Sequence, residues 1–130
     1  MRKGFTLLEL IVVIIIIGVL GALGFIQYTR VVEKGRSAEA KDICGQIRSA
    51  QAAYMQENNT YTGSMADLYV DAPTACATSH YFAYTVTTLS TTALRCSSGG
   101  KTPNVAGAAA VYGITMTYAT GTWGGSAGYY

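Results

Sequence analysis

Seventeen consecutive residues without a polar side chain, from Leu10 to Ile26, constrain this chain more than any other feature. The apolar segment extends back to Phe5 with only Thr6 and Glu9 as interruptions. An α-helix rises about 1.5 Å per residue, so this stretch reaches across a hydrocarbon core of roughly 30 Å. A membrane-spanning helix is therefore favoured over a buried core helix, because the rest of the chain is too small to surround a helix that is apolar on every side.

The start of the chain differs from a cleaved secretory signal. Arg2 and Lys3 supply a positive start. The apolar stretch is longer than the roughly 7–15 residues of a secretory signal, and no small-residue cleavage site directly follows it. Glu9 lies inside the first turns, where a carboxylate is costly in lipid and normally has a partner. The alternative without a functional role is that the Glu9 side chain snorkels toward the lipid head groups.

Composition limits the chemistry that the chain can perform. Charged residues make up 12%, against about 25% in a typical soluble domain, and the net charge of +2 argues against a nucleic-acid binder. His80 is the single histidine, and a zinc site would need it together with all three cysteines. Asp67 and Asp71 are too few carboxylates for a convincing calcium site. We therefore expect neither a catalytic site nor a metal or other cofactor.

The first residues carry a specific motif. Gly4-Phe5-Thr6-Leu7-Leu8-Glu9, after the short basic leader, closely resembles the class III signal of type IV pilins and type II secretion pseudopilins. The resemblance implies that a membrane peptidase cuts between Gly4 and Phe5 and then N-methylates Phe5. It also implies that Glu9 pairs with the Phe5 amine of a neighbouring subunit and sets the register of assembly, since opposite charges attract strongly in a low-dielectric helix bundle. The match is close over residues 1–35 and loose over 50–68.

One position departs from the family's pattern. Ile26 stands where the family usually has a proline in the helix. Gly18, Gly21 and Gly24 precede it, and each glycine costs a helix up to about 1 kcal/mol relative to alanine. We favour the interpretation that they supply a weak segment in place of the proline. Close helix packing is the alternative.

The second half of the chain predicts a small head. The helix is expected to continue to Asn58, and residues 59–80 form a loop with a helical turn at 66–68. The apolar stripe of the helix recurs at Ala40, Ile43, Ile47, Ala50 and Tyr54. Alternating β-branched and aromatic residues predict strands, with the loop Ser98–Gly107 before the third. These strands are Tyr81–Thr87, Thr91–Ser97 and Tyr112–Tyr118.

The predicted fold class is therefore α+β. A long N-terminal helix spans the membrane in its first half and packs in its second half against a small antiparallel sheet of three or four strands, as in the pilin fold. Residues 1–4 form the leader peptide and 5–27 the transmembrane and assembly part. Residues 28–130 form the globular head, which includes the second half of the helix.

Three cysteines allow three pairings and leave one thiol over. Cys76 and Cys96 flank the predicted first hairpin, so this pair is favoured, and pilin heads often carry one such disulfide. The alternative Cys44–Cys76 remains open, although Cys44 is expected to be a buried thiol on the helix. A disulfide implies an oxidising compartment, which puts the head outside the cytoplasm.

The resemblance implies a structural subunit of a type IV pilus, which forms a helical homopolymer. Its implied partners are the prepilin peptidase and methyltransferase, the inner-membrane assembly platform with its ATPase, and a secretin if the cell has an outer membrane. The chain is expected in the inner membrane before assembly and in a surface pilus or periplasmic pseudopilus afterwards. A type II secretion pseudopilin is the first alternative. A membrane-anchored binding protein or enzyme that never polymerises is the second, and it leaves Glu9 unexplained.

Overall fold

A computed structural model of the chain describes residues 4–103 and 111–129. Its elements are helix α1 (Leu7–Asn58), the short 3₁₀ helix η1 (Met65–Leu68) and strands β1 (Phe82–Val86), β2 (Ser90–Arg95), β3 (Gly113–Thr117) and β4 (Trp123–Gly125). The chain divides into two compact units, Met1–Gly35 and Arg36–Tyr130. We call the second the head unit. The leader residues Arg2 and Lys3, part of the predicted loop Ser98–Gly107, and the side chain of Ile26 lie outside the described residues.

Helix α1 ends where its sequence stops favouring a helix. Asn58 is its last residue, and Asn59 adopts a left-handed backbone with φ of 54°. The Asn59 amide donates to the carbonyl of Met55 at 2.9 Å, which satisfies one of the carbonyls that the helix leaves open. Asparagine tolerates this conformation better than most residues. The predicted end of the helix is therefore confirmed.

The strands form one antiparallel sheet in the order β1-β2-β3-β4, so each strand pairs with its neighbour in sequence. The long alternation predicted for the third strand is confirmed, because Tyr112, Ile114, Met116 and Tyr118 are all buried. Strand β4 is short and made largely of glycine. At Gly125 (φ 118°) a side chain would collide with the carbonyl of Gly113, so this pairing requires glycine there.

The core of the head unit lies between α1 and the sheet. All five residues of the predicted stripe on α1 lie in this core or pack against it. The fully buried positions of the helix are Ser37, Ala40, Cys44, Ile47 and Gln51, while Ile43, Ala50 and Tyr54 are only partly buried beside them. These buried positions are also spaced by three and four residues. Two of them, Ser37 and Gln51, are polar, so the pattern of apolar residues does not reveal them.

Two buried polar side chains, those of Gln51 and Arg95, are tolerated in the interior because they are hydrogen-bonded there. Gln51 exchanges two hydrogen bonds with the backbone of Thr62: its Nε2 donates to the carbonyl at 2.7 Å, and its Oε1 accepts from the amide at 3.0 Å. These bonds fasten the loop after α1 to the helix. Arg95 is 1% exposed, and its guanidinium donates to the carbonyls of Tyr81, Cys96 and Pro103. A buried polar group that is hydrogen-bonded avoids most of the cost of leaving water.

Candidate processing and assembly site

The predicted cleavage position lies in an open, non-helical segment. Gly4 and Phe5 precede α1 and are exposed, with Phe5 exposed by 79%. A side chain added at Gly4 would meet nothing within 4 Å in its own chain. The fold therefore gives no internal reason for glycine at this position. We expect the reason to lie in the approach of a peptidase to the backbone.

The first turn of α1 is closed by a reciprocal pair that the sequence reasoning missed. Thr6 is the residue before the helix, and its backbone amide and hydroxyl both donate to Oε2 of Glu9 at 2.8 Å. The Glu9 amide donates back to Oγ1 of Thr6 at 3.3 Å. This is a capping box, in which a Thr and a Glu three residues later satisfy the free amides of the helix start. The T-x-x-E spacing before an apolar run was the signal that would have revealed it.

The capping box gives the Glu9 carboxylate a partner inside its own chain. A negative side chain in the first turn is also stabilised by the helix dipole. The acidic group is thus held at a fixed position at the start of the apolar helix.

The surface behind this turn is apolar on all sides. The large apolar side chains between Phe5 and Phe25 are each exposed by 44% or more. Within the described residues, α1 is the one helix that is long and apolar enough to cross a membrane. Helix α1 runs without a break through Gly18, Gly21 and Gly24, and no atom of the chain lies within 4 Å of a side chain built at any of them. These glycines therefore leave shallow places on the helix surface that another helix can approach.

The cysteines lie in the head unit as predicted. Cys76 and Cys96 form a disulfide, with their Cα atoms 5.9 Å apart, and it ties the loop before β1 to the end of β2. Cys44 is a free thiol on α1 with no exposed surface. Burial raises the pKa of its thiol to about 12, against a smaller opposing effect of hydrogen bonds with Thr91 and the backbone of Ala93.

Hydrogen bonds hold the loop between α1 and β1, which contains Asp67 and His80. Asp67 Oδ2 accepts from the hydroxyl of Thr62 at 2.7 Å. The ring nitrogens of His80 lie 2.7 Å from the carbonyl of Ala75 and 2.9 Å from Oγ of Ser79. Among the residues that the structure describes, no three histidine, cysteine or acidic side chains come together as metal ligands. Asp67 and His80 therefore have structural partners in the loop.

Comparison with known families agrees with this geometry at the N-terminus. Residues 1–25 match the family described as a prokaryotic N-terminal methylation motif. No curated protein matches the chain. The matched segment contains Gly4, Phe5 and the capping box, and it ends in the apolar helix. The chain therefore carries the class III signal of type IV pilins and pseudopilins.

The motif and the α+β fold resemble those of type IV pilins and pseudopilins, and the motif indicates a structural role. The motif implies processing by a prepilin peptidase and assembly into a filament in general terms. The apolar helix together with the motif indicates anchoring in a membrane.

Proposed function

We propose that this protein is a structural subunit of a type IV pilus, processed between Gly4 and Phe5 and polymerised through its N-terminal helix. The observation that carries the proposal is the Glu9 carboxylate, hydrogen-bonded to Thr6 at the start of a helix whose large apolar side chains from Leu7 to Phe25 are all exposed. Cleavage would create a cationic amine at Phe5, four residues before Glu9. A neighbouring subunit then supplies the opposite charge, while close van der Waals packing of the apolar helices holds the subunits side by side.

Charge pairing sets the register that apolar packing leaves undefined. Two smooth apolar helices can slide along one another at little cost. One cation and one anion at fixed heights allow a single alignment, because an unpaired charge in an apolar bundle is strongly penalised. Phe5 and Glu9 are therefore the residues that we assign to subunit assembly.

We favour a pilus over a calcium-dependent pseudopilus, because Asp67 and Asp71 are too few carboxylates for a convincing calcium site. Asp67 is engaged by Thr62, and Gln51 holds the backbone of Thr62. The loop after α1 is thus stabilised by hydrogen bonds to the helix. A type II secretion pseudopilin remains the second candidate, because it would share the same N-terminal segment.

Assembly requires partners that this chain recognises through its helix. We expect a prepilin peptidase that also methylates Phe5, an inner-membrane platform with an ATPase, and a secretin where the cell has an outer membrane. Before assembly the subunit lies in the inner membrane. The Cys76–Cys96 disulfide supports a head on the oxidising side of that membrane.

Filaments sheared from the cell surface provide the direct test. Mass spectrometry of these filaments should find this chain beginning at N-methylated Phe5, and a deletion strain should lack the filaments. If the chain is absent from surface filaments and its deletion instead blocks protein secretion, the pseudopilin is the correct assignment. If the mature chain is found only as a monomer in the membrane, neither polymeric function holds.

A further inference from the structure

Three cationic groups surround one aromatic ring at the beginning of the head unit. The distances to the centroid of the Tyr81 ring are 4.8 Å from Cζ of Arg36, 5.0 Å from Cζ of Arg95 and 5.1 Å from Nζ of Lys101. Arg95 is buried and donates to backbone carbonyls, so its role is internal. Lys101 is exposed, and within the described part of the chain its ammonium group contacts only the Tyr81 ring. We call Arg36, Tyr81 and Lys101 the basic cluster.

A groove of opposite charge lies at the other end of the head unit. It has a volume of about 210 Å³, runs between the last turns of α1 and η1, and is lined by Tyr54, Glu57, Asp67 and Tyr69 among others. The Glu57 carboxylate is exposed and has no hydrogen bond or ion pair with any described residue. Tyr69 is 97% exposed. Carboxylates beside tyrosine rings attract ammonium and guanidinium groups. We call this surface the acidic groove.

The two surfaces cannot meet within one molecule. Arg36 and Glu57 are 21 residues apart on the same helix. At about 1.5 Å per residue they are separated by roughly 31 Å along the helix axis. Lys101 is close to Arg36, since both lie about 5 Å from the same ring. A contact between the basic cluster and the acidic groove therefore requires two copies of the chain, displaced along the helix axis.

Charge balance favours a second copy over an unrelated partner. Residues 36–130 contain five basic and five acidic side chains, so they carry no net charge to attract a polyanion or a polycation. They present instead one positive and one negative surface of matching chemistry. When one surface of a molecule binds a different surface of an identical molecule, each added copy can bind a further one. The result is a ring if the rotation between copies closes, and an open helical filament if it does not. Such a contact is suited to an open filament.

We propose that the acidic groove of one subunit receives Lys101, and with it the basic cluster, of another subunit in the filament. This contact rests on the proposed polymer, and it is separate from the pair formed by Phe5 and Glu9. Like the pairing of complementary surface charges in other interfaces, it fixes the orientation of the head more than it adds affinity. In this proposal the N-terminal helices set the axial alignment of neighbouring subunits. The contact between heads sets which surfaces of neighbouring head units face each other.

Charge reversal separates this contact from its alternatives. Glu57→Lys and Lys101→Glu should each reduce the yield of filaments by about tenfold, because like charges then face each other. The double variant should restore most of the yield. Asp42→Lys is the control for the groove, because it reverses the charge of an exposed carboxylate on the same helix outside the groove lining. Lys41→Glu is the control for the basic cluster. Membrane levels of mature subunit check that each variant folds.

Cross-linking tests the contact without any substitution. Filaments assembled from isotope-labelled and unlabelled wild-type subunits are treated with a carbodiimide, which joins a carboxylate and an amine in direct contact as an amide. We expect intermolecular links from Lys101 to Glu57 or Asp67. Links from Lys101 only to other carboxylates, or normal filaments from both single variants, would overturn the proposed contact and leave the polymer itself intact. Failure of the wild-type chain to enter filaments would instead overturn the proposed function.

Discussion

Thr6 and Glu9 close the first turn of α1 on each other. Two donors of Thr6 converge on one carboxylate oxygen of Glu9 at 2.8 Å, and the Glu9 amide returns a bond of 3.3 Å to the Thr6 hydroxyl. Glu9 thus has two separable properties: it caps its own helix, and it carries a negative charge at the helix start. The cap is local and needs no second subunit. The charge is what a neighbouring amine would recognise.

Glu9→Gln distinguishes these two properties. Glutamine also closes a capping box, so the helix start should persist, and a neutral amide costs less in lipid than a carboxylate. We expect normal membrane levels of cleaved subunit but no filaments, because the charge that attracts the neighbouring amine is lost. Electron microscopy gives the filament yield, and immunoblotting of the membrane gives the subunit level.

Thr6→Ala is the complementary variant. It removes the cap, at a cost of about 0.5–2 kcal/mol, and keeps the Glu9 charge. Filaments should still form from this variant. Normal filaments from Glu9→Gln, in a strain without a wild-type copy, would show that Glu9 acts only as a cap.

Gly4→Ile tests the processing site. Because a side chain at Gly4 meets nothing in the folded chain, the substitution should not disturb the helix or the head. It should obstruct the peptidase, which we expect to bind an extended backbone at this position. Uncleaved full-length chain should accumulate in the membrane, as seen by intact-mass measurement. Accumulation of mature chain at the wild-type level would contradict the assignment of the leader.

The Cys76–Cys96 disulfide should contribute to the stability of the head. It closes a loop with a sequence separation of 20, and a loop of this size is expected to stabilise a domain by about 3 kcal/mol. The paired variant Cys76→Ala/Cys96→Ala should lower the free energy of unfolding by about this amount, measured by denaturant titration of the detergent-solubilised chain. Cys44→Ala leaves the disulfide intact and serves as its control. An unchanged midpoint after removal of both cysteines would contradict the prediction.

The thiol of Cys44 should make stability depend on alkaline pH. Its pKa is raised from 9.0 to about 12 by burial, so the unfolded chain releases the thiol proton at a lower pH than the folded chain does. Below about pH 9 the thiol is protonated in both states and has no effect, and above it the free energy of unfolding falls by up to about 1.4 kcal/mol per pH unit. Between about pH 8 and about pH 10, the free energy of unfolding should decline more steeply with pH for the wild type than for Cys44→Ala. Equal slopes would contradict the raised pKa.

The fold was predictable because its signals are local and repeated. The apolar run, the change to an amphipathic period, and the alternation from Tyr112 to Tyr118 each specify an element without reference to the rest of the chain. The interior was less predictable. Arg95 and Gln51 are polar residues whose burial depends on backbone groups that are distant in sequence, such as the carbonyl of Pro103 and both groups of Thr62. No periodicity of apolar residues reveals such partners.

The site was predictable as a motif and not as a geometry. The resemblance implies roles for Gly4, Phe5 and Glu9, which stay predictions, and it does not reveal the partner that Glu9 has within its own chain. Thr6 belongs to the signature, and its spacing to Glu9 is also that of a capping box. The contact surfaces of the head were not visible in the sequence, because Tyr81 and Lys101 come together only when the loop after β2 folds back beside β1.

Gln51 provides the sharpest test of how the head is held together. Its side chain fills the place of an apolar residue on the buried face of α1, and its amide satisfies both backbone groups of Thr62. Gln51→Leu retains the volume but leaves the Thr62 amide and carbonyl without their partner, and each unsatisfied buried group costs about 1–3 kcal/mol. We expect the free energy of unfolding to fall by roughly 2–4 kcal/mol, as followed by the fluorescence of Trp123.

The control is Gln46→Leu on the same helix. Gln46 is exposed, and among the described residues its side chain bonds only to Asp42, so its replacement should change stability by no more than about 0.5 kcal/mol. Hydrogen exchange adds a local measurement, because the Thr62 amide should lose its protection in Gln51→Leu while the amides of β2 and β3 keep theirs. A stability loss without faster exchange at Thr62 would show that Gln51 acts through packing alone, and an unchanged stability would show that its hydrogen bonds are replaced by water.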